Sequence, residues 1–209
     1  MTVLPLLASA QQRRDEIPNQ ELAQSIAARK DNAAVKELVT HLTDKSKDIQ
    51  HDCIKVLYET GELAPALLAP YLSDFIALLQ SRDNRMQWGG MAAIRTITTE
   101  KSGEVYKALG KLAASADKGS VITKDNFIAI LLKLYLLPAY AADVFTLLLE
   151  QLQASPANQL PMYAEQASAV IKPADAPQLL DTLRKRLPDI EKDSKKKRVE
   201  KVMKKLTGK

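Results

Sequence analysis

A single cysteine, Cys53, rules out an intramolecular disulfide framework and fits a reducing compartment. With only two histidines beside it, the usual structural zinc arrangement lacks ligands. Glycine is scarce, at seven residues, and no run alternates apolar with polar side chains, which argues against β structure. Aromatic residues make up 5% of the chain, so a core must be built from Leu, Ile and Ala. No stretch approaches the ~18 consecutive apolar residues that a spanning helix needs. Val3-Leu4-Pro5-Leu6-Leu7-Ala8-Ser9-Ala10 imitates an apolar leader with an A-x-A end, but it lacks a basic region before it and is interrupted by Pro5. A cytoplasmic setting is therefore expected. No glycine-rich phosphate loop and no metal-ligand spacing occur, so no cofactor is expected.

What the chain has in quantity is helix formers: Ala, Leu, Lys, Gln and Glu. Their order is informative around Asp83-Asn84-Arg85-Met86-Gln87-Trp88-Gly89-Gly90-Met91-Ala92-Ala93-Ile94-Arg95-Thr96-Ile97. At 3.6 residues per turn, Met86, Gly90, Ala93, Ile94 and Ile97 fall on one face. Shifted back by 37 residues, the same slots hold Ile49, Cys53, Val56, Leu57 and Thr60. Shifted forward by 37 they hold Thr123, Phe127, Ile130, Leu131 and Leu134, and a further 37 gives Leu160, Ala164, Ala167, Ser168 and Ile171. After a slip of two residues, Val199, Met203 and Leu206 continue the series. A helical period in the range of ~35–47 residues is the signature of an α-solenoid, whose units bury their apolar faces by stacking on one another.

The helix from Asp83 to Ile97 resembles the second helix of a HEAT repeat. The matching residues are Asp83, Met86, Gln87, Gly90, the pair Ala93-Ile94, and Ile97; Asp48-Ile49-Gln50 with Cys53 and Val56-Leu57 is similar but less complete. The resemblance covers residues 30–206 and implies an all-α, armadillo-like solenoid of stacked antiparallel helix pairs, of about 11–12 helices in a right-handed superhelix. One domain is expected over residues 1–209, with capping helices in 1–30 and about five helix pairs in 31–207. The cap is read as helices over 2–13, with Leu4, Leu7 and Ala8 facing inward, and 18–30. Pairs follow over 32–43 with 47–60, where Gly61 terminates the helix, and over 65–81, interrupted at Pro70, with the Asp83 helix. The remaining pairs are 102–116 with 120–137, 138–154 with 157–171, and 175–187 with 193–207.

Each interior glycine of Gly89-Gly90 costs its helix about 1 kcal/mol relative to alanine. Close crossing of another backbone is the favoured explanation, and close approach of a ligand is the alternative. Cys53 occupies a core slot and reads as a small hydrophobe.

Function in solenoids tends to lie on the concave surface, lined by the second helices. Opposite the core stripe lie Trp88, Met91 and Arg95, in columns with His51, Asp125 and Met162, with Ile54, Ile128 and Glu165, and with Tyr58, Leu132 and Ala169. Ile54, Tyr58, Trp88, Met91, Ile128 and Leu132 either form an exposed apolar strip that accepts a partner's helix or are covered by neighbouring helices. Trp88, rimmed by Arg85 and Arg95, suits an interface anchor, or equally a large residue packed on the adjacent repeat. The expected function is thus a non-catalytic protein-interaction scaffold, binding through Trp88, Met91, Arg95, Arg85, Ile54, Tyr58 and Ile128.

A second reading is nucleic-acid binding. Residues 184–209 hold twelve Lys or Arg and four Asp or Glu, a net of +8, whereas the remainder has a net of −3. This run is either the solvated face of the last repeat or a footprint for a polyanion. The chain is also similar, more distantly, to the HEAT-like alkylpurine DNA glycosylases, which place Trp residues and a catalytic Asp beside an Arg on a basic concave face. Here Arg95 shares a face with Trp88, but the residue one turn on is Ala92 and there is no second Trp; Asp125 is the one carboxylate in the column of Trp88. That resemblance implies DNA contacts through Arg85, Arg95, Lys124 and the basic C-terminal helix, without chemistry. His51-Asp52-Cys53 forms no nucleophile–base pair, because consecutive helical residues diverge by about 100°.

Overall fold

Asp83 shows why the helices begin where they do. Its backbone is extended, at φ −84° and ψ 114°, and its carboxylate accepts hydrogen bonds from the N–H groups of Arg85 and Met86. Two of the four donors that every helix leaves unpaired are thereby satisfied. Asp31 caps the next most regular start in the same way, accepting from Ala34. Proline occupies the first turn of several other helices, where its missing N–H is not needed.

The computed structural model describes residues 2–208, and no strand occurs among the described residues. The chain is all-α: α1 (Ile17–Arg29), α2 (Asn32–Thr40), α3 (Lys47–Leu63), α4 (Pro65–Leu68), α5 (Leu72–Leu78), α6 (Asn84–Ile97), α7 (Ser102–Lys118), α8 (Val121–Tyr135), α9 (Ala141–Ala154), α10 (Leu160–Val170), α11 (Ala176–Arg186) and α12 (Asp193–Leu206). The contacts divide it into two compact units, one ending at Ile130 and the other beginning at Leu131, so that the division falls inside α8.

In the first unit α3 packs against α1, α2 and α6, while α6 also packs against α5. The 37-residue recurrence is visible in what is buried. Met86, Gly90, Ala93, Ile94 and Ile97 are all buried on α6, and Cys53, Val56, Leu57 and Thr60 take the same slots on α3. Gly90 is a close crossing: a Cβ there would lie 2.9 Å from the Phe75 carbonyl oxygen and 2.9 Å from Leu78 Cβ, both on α5.

Two expectations are corrected here. Gly61 does not end α3, which runs on to Leu63; instead α6 crosses at Gly61, where a Cβ would overlap the Thr96 hydroxyl and the Leu68 side chain. Nor do residues 2–13 form a helix. A single 3-10 turn over Leu4–Leu6 gives way to irregular turns, and Gln12 adopts a left-handed φ of 56°. Pro5 and the shortness of the segment leave helix nucleation uncompensated, and long-range bonds hold the segment instead. Val3 N–H donates to Glu37 Oε2 at 2.9 Å, Ala8 N–H to Asn19 Oδ1 at 3.0 Å, and Ser9 N–H to Asp52 Oδ2 at 2.8 Å. Leu7 and Ala8 are buried as expected, and Leu4 only in part.

The second unit packs α10 on α12 and α11 on α9 and α12. Arg186 secures the end of α9: its guanidinium donates to the carbonyls of Leu152 (2.8 Å), Gln153 and Ser155 (2.8 Å), and to Asp189 Oδ2 at 2.7 Å. The Tyr135 hydroxyl donates to Asp175 Oδ2 at 2.5 Å and accepts from Lys172 N–H at 2.9 Å. Its ring packs on Phe145 at a centroid distance of 5.7 Å.

Candidate interaction surface on α3 and α6

α3 and α6 pack side by side, and part of the face opposite their core stripes stays open to solvent. Tyr58 and Trp88 meet there, with ring centroids 5.7 Å apart and planes tilted by 52°. Both are partly exposed, and the Trp88 indole N–H makes no hydrogen bond among the described residues. Such tilted pairs are worth roughly 0.5–1.5 kcal/mol beyond their burial, so the two rings hold one another in place.

Charged groups frame the pair. Lys55 Nζ lies 5.1 Å from the centre of the Tyr58 ring, 2.8 Å from Glu16 Oε2 and 2.6 Å from Glu59 Oε1. Its side chain is only 7% exposed. Burial pulls its pKa down, but the hydrogen bonds to Glu16 and Glu59 outweigh this and hold it above the ordinary lysine value. Glu16 also receives Arg85 Nη2 at 3.2 Å, so one carboxylate joins α3 to α6. At the other end Arg95 donates through Nε to Asn126 Oδ1 at 2.7 Å and pairs with Glu62. His51 Nε2 lies 2.9 Å from Asp83 Oδ2. Burial raises the Asp83 pKa, but the His51 contact and the two cap N–H groups hold the carboxyl below its usual value.

Of the two readings of the apolar strip, exposed or covered, the covered one holds. Ile54, Met91 and Ile128 are completely buried, and Leu132 is 9% exposed. Ile54 shows the reason: a Cβ on Gly89 would lie 2.6 Å from its Cγ1, so α3 presses that side chain onto bare α6 backbone. Of the seven expected binding residues, Tyr58, Trp88, Arg85 and Arg95 remain partly exposed and lie along one surface. Sequence reasoning missed Glu16, Lys55, Glu59 and Glu62. The Lys55–Glu59 pair carries an i,i+4 signal, whereas nothing local links Glu16 to Arg85, 69 residues away.

Beside this surface a polar cleft of about 420 Å³ is lined by Ser9, Arg14, Asp48, His51, Asp52 and Arg85, among others. Asp52 is 8% exposed and is committed to Ser9 N–H and to Asn19 Nδ2, the latter at 2.7 Å. Cys53 points into the core, where burial first and the Asp52 charge next push its thiol up to about 12. A thiol in that state is a poor nucleophile.

The residues expected to contact DNA in this unit already face acids: Arg85 with Glu16, Arg95 with Glu62, and Lys124 3.9 Å from Asp117. Asp125 is half-buried on α8.

The chain matches no family model and no curated protein. Among solved structures it is similar over its whole length to two engineered proteins determined as crystal structures by the Northeast Structural Genomics Consortium. One has a TM-score of 0.62 at 16% identity, with 98% of that chain covered, and the other 0.60 at 18%, with 100% covered. At such identities the likeness is one of fold alone.

Proposed function

We propose that this chain is a non-catalytic protein-interaction module whose contact surface is centred on Tyr58 and Trp88. The observation that carries the reading is the partly exposed aromatic pair held within a framework of ion pairs. Large aromatic anchors flanked by arginine are the groups that most often dominate binding energy. Here Lys55, Glu16, Arg85, Arg95 and Glu62 are already ordered, so less conformational entropy is lost when a partner docks. A nucleic-acid role at this same surface is disfavoured by the pairing of its cations.

The fold we infer around this surface is a HEAT-like, right-handed α-solenoid acting as one scaffold domain in the cytoplasm. Support comes from α3 and α6, which are equivalent under the 37-residue shift and pack directly on each other, each with its own preceding helix.

The test is Trp88→Ala in the full chain. Truncating an anchor at the centre of an interface costs about 2 kcal/mol or more, roughly thirtyfold in affinity. Partner affinity falls by that factor while the melting temperature moves by only a few degrees. A large loss of stability with unchanged affinity would show that Trp88 serves packing alone.

A further inference from the structure

The second unit presents a surface of a different kind on α12. Val199 and Val202 are buried. Advancing 100° per residue, Lys197, Arg198, Lys201, Lys204 and Lys205 then fall within an arc of about 120°. All five are exposed. The strip runs for about 12 Å, eight residues at 1.5 Å each.

Like charges at i,i+3 and i,i+4 destabilise a helix. In this strip Lys197 with Lys201, Lys201 with Lys204, and Lys201 with Lys205 are all such pairs. Few acids relieve them. Glu165 on α10 faces the strip; Arg198 reaches its two oxygens at 2.8 Å and 2.6 Å, and Lys201 is the one lysine of the strip whose charge also acts on it. Asp193 and Glu200 on α12 stand one turn from Lys197 and Lys204, which leaves Lys201 and Lys205 with no acid one turn away on the helix. Around Tyr58 and Trp88, by contrast, Lys55, Arg85 and Arg95 each have an acidic partner. Next to the strip lies an open hollow of about 650 Å³, lined by Arg198, Lys201, Lys204 and Lys205 together with Glu165 and Ser168.

We infer that this face of α12 binds the phosphate backbone of duplex nucleic acid, independently of the surface on α3 and α6. A strip of exposed cations along one helix is complementary to a rod that carries one charge per about 1.7 Å of its axis. An anionic membrane fits less well. Surface-bound helices bury an apolar face in the lipid, and no large apolar side chain of α12 is exposed. Contacts are to phosphates only, so binding is insensitive to base sequence.

The experiment is fluorescence anisotropy of a labelled 20-base-pair DNA duplex titrated with the full chain. If the row engages about three phosphates, log affinity falls against log salt with a slope of about −2.7, and binding weakens about fortyfold between 50 and 200 mM salt. The variant Lys197→Gln/Lys201→Gln/Lys204→Gln/Lys205→Gln loses this binding and keeps its helical circular dichroism. The matching fourfold Lys→Arg variant retains it. Trp88→Ala leaves it untouched, which separates its fate from that of the protein-binding surface. No binding at 50 mM salt would overturn the inference, as would binding that the glutamine variant leaves unchanged. So would association with phosphatidylserine–phosphatidylcholine vesicles (1:3) without association with the duplex.

Discussion

Gly90 and Gly110 both lie inside helices, and the structure gives them opposite fates when changed to alanine. Removing an interior glycine favours the helix by about 1 kcal/mol. At Gly110, exposed on α7, a new Cβ meets nothing within 4 Å, so Gly110→Ala gains that amount. At Gly90 the Cβ would sit 2.9 Å from the Phe75 carbonyl and 2.9 Å from Leu78 Cβ. Phe75 is fully buried, so α5 has little freedom to retreat. Overpacking of this kind costs about 1–3 kcal/mol, which exceeds the propensity gain and leaves Gly90→Ala destabilised by about 1 kcal/mol. The two variants should therefore lie about 2 kcal/mol apart, on opposite sides of the wild type. Urea unfolding followed by Trp88 emission measures this, because the probe sits on α6 itself. A Gly90→Ala protein as stable as the Gly110→Ala variant would refute the close crossing of α5 over α6.

Asp83→Ala removes the cap of α6 and should cost about 1 kcal/mol at neutral pH. Because the folded-state pKa of Asp83 is lowered, its contribution is complete above the unfolded value and is lost as pH falls through the folded one, so the gap between variant and wild type narrows below about pH 4. Stability curves of both proteins from pH 7 to pH 3 check this, and a gap that widened toward acid would contradict the assignment. Arg186→Lys should destabilise the second unit by about 2 kcal/mol or more, since a single ammonium cannot serve three carbonyls and a carboxylate at once. Thermal melts of the variant show whether that guanidinium is as central to the end of α9 as its bonds indicate.

Most of the helices were legible because their signals are local. Caps such as Asp31 and Asp83 and the 37-residue register all reside in neighbouring residues. The glycine in the small-residue slot at 90 likewise announced a crossing that the structure places against α5. What was not legible depends on partners distant in sequence. The N-terminal segment is held by Asn19, Glu37 and Asp52 rather than by its own propensity. Ile54, Met91 and Ile128 lie on the helix face opposite the core stripe, yet neighbouring helices cover them, and periodicity along one helix says nothing of its flanks. The same holds for Glu16, whose role emerges only when α1, α3 and α6 come together around Lys55 and Arg85. Gly61 carried a local signal that misled: it looked like a helix stop and is instead a point of contact.

The claim that Tyr58 and Trp88 mark a protein-binding surface is tested most directly by placing the photocrosslinker p-benzoylphenylalanine at position 58 of the full chain. A control chain carries it at position 107, which is exposed on α7. Irradiation in cells producing the protein should give one discrete adduct from position 58 that is protease-sensitive, resists nuclease, and disappears when Trp88→Ala is combined with the crosslinker. Position 107 should give none. Equal adducts from both positions, or adducts from position 58 indifferent to Trp88, would contradict the account.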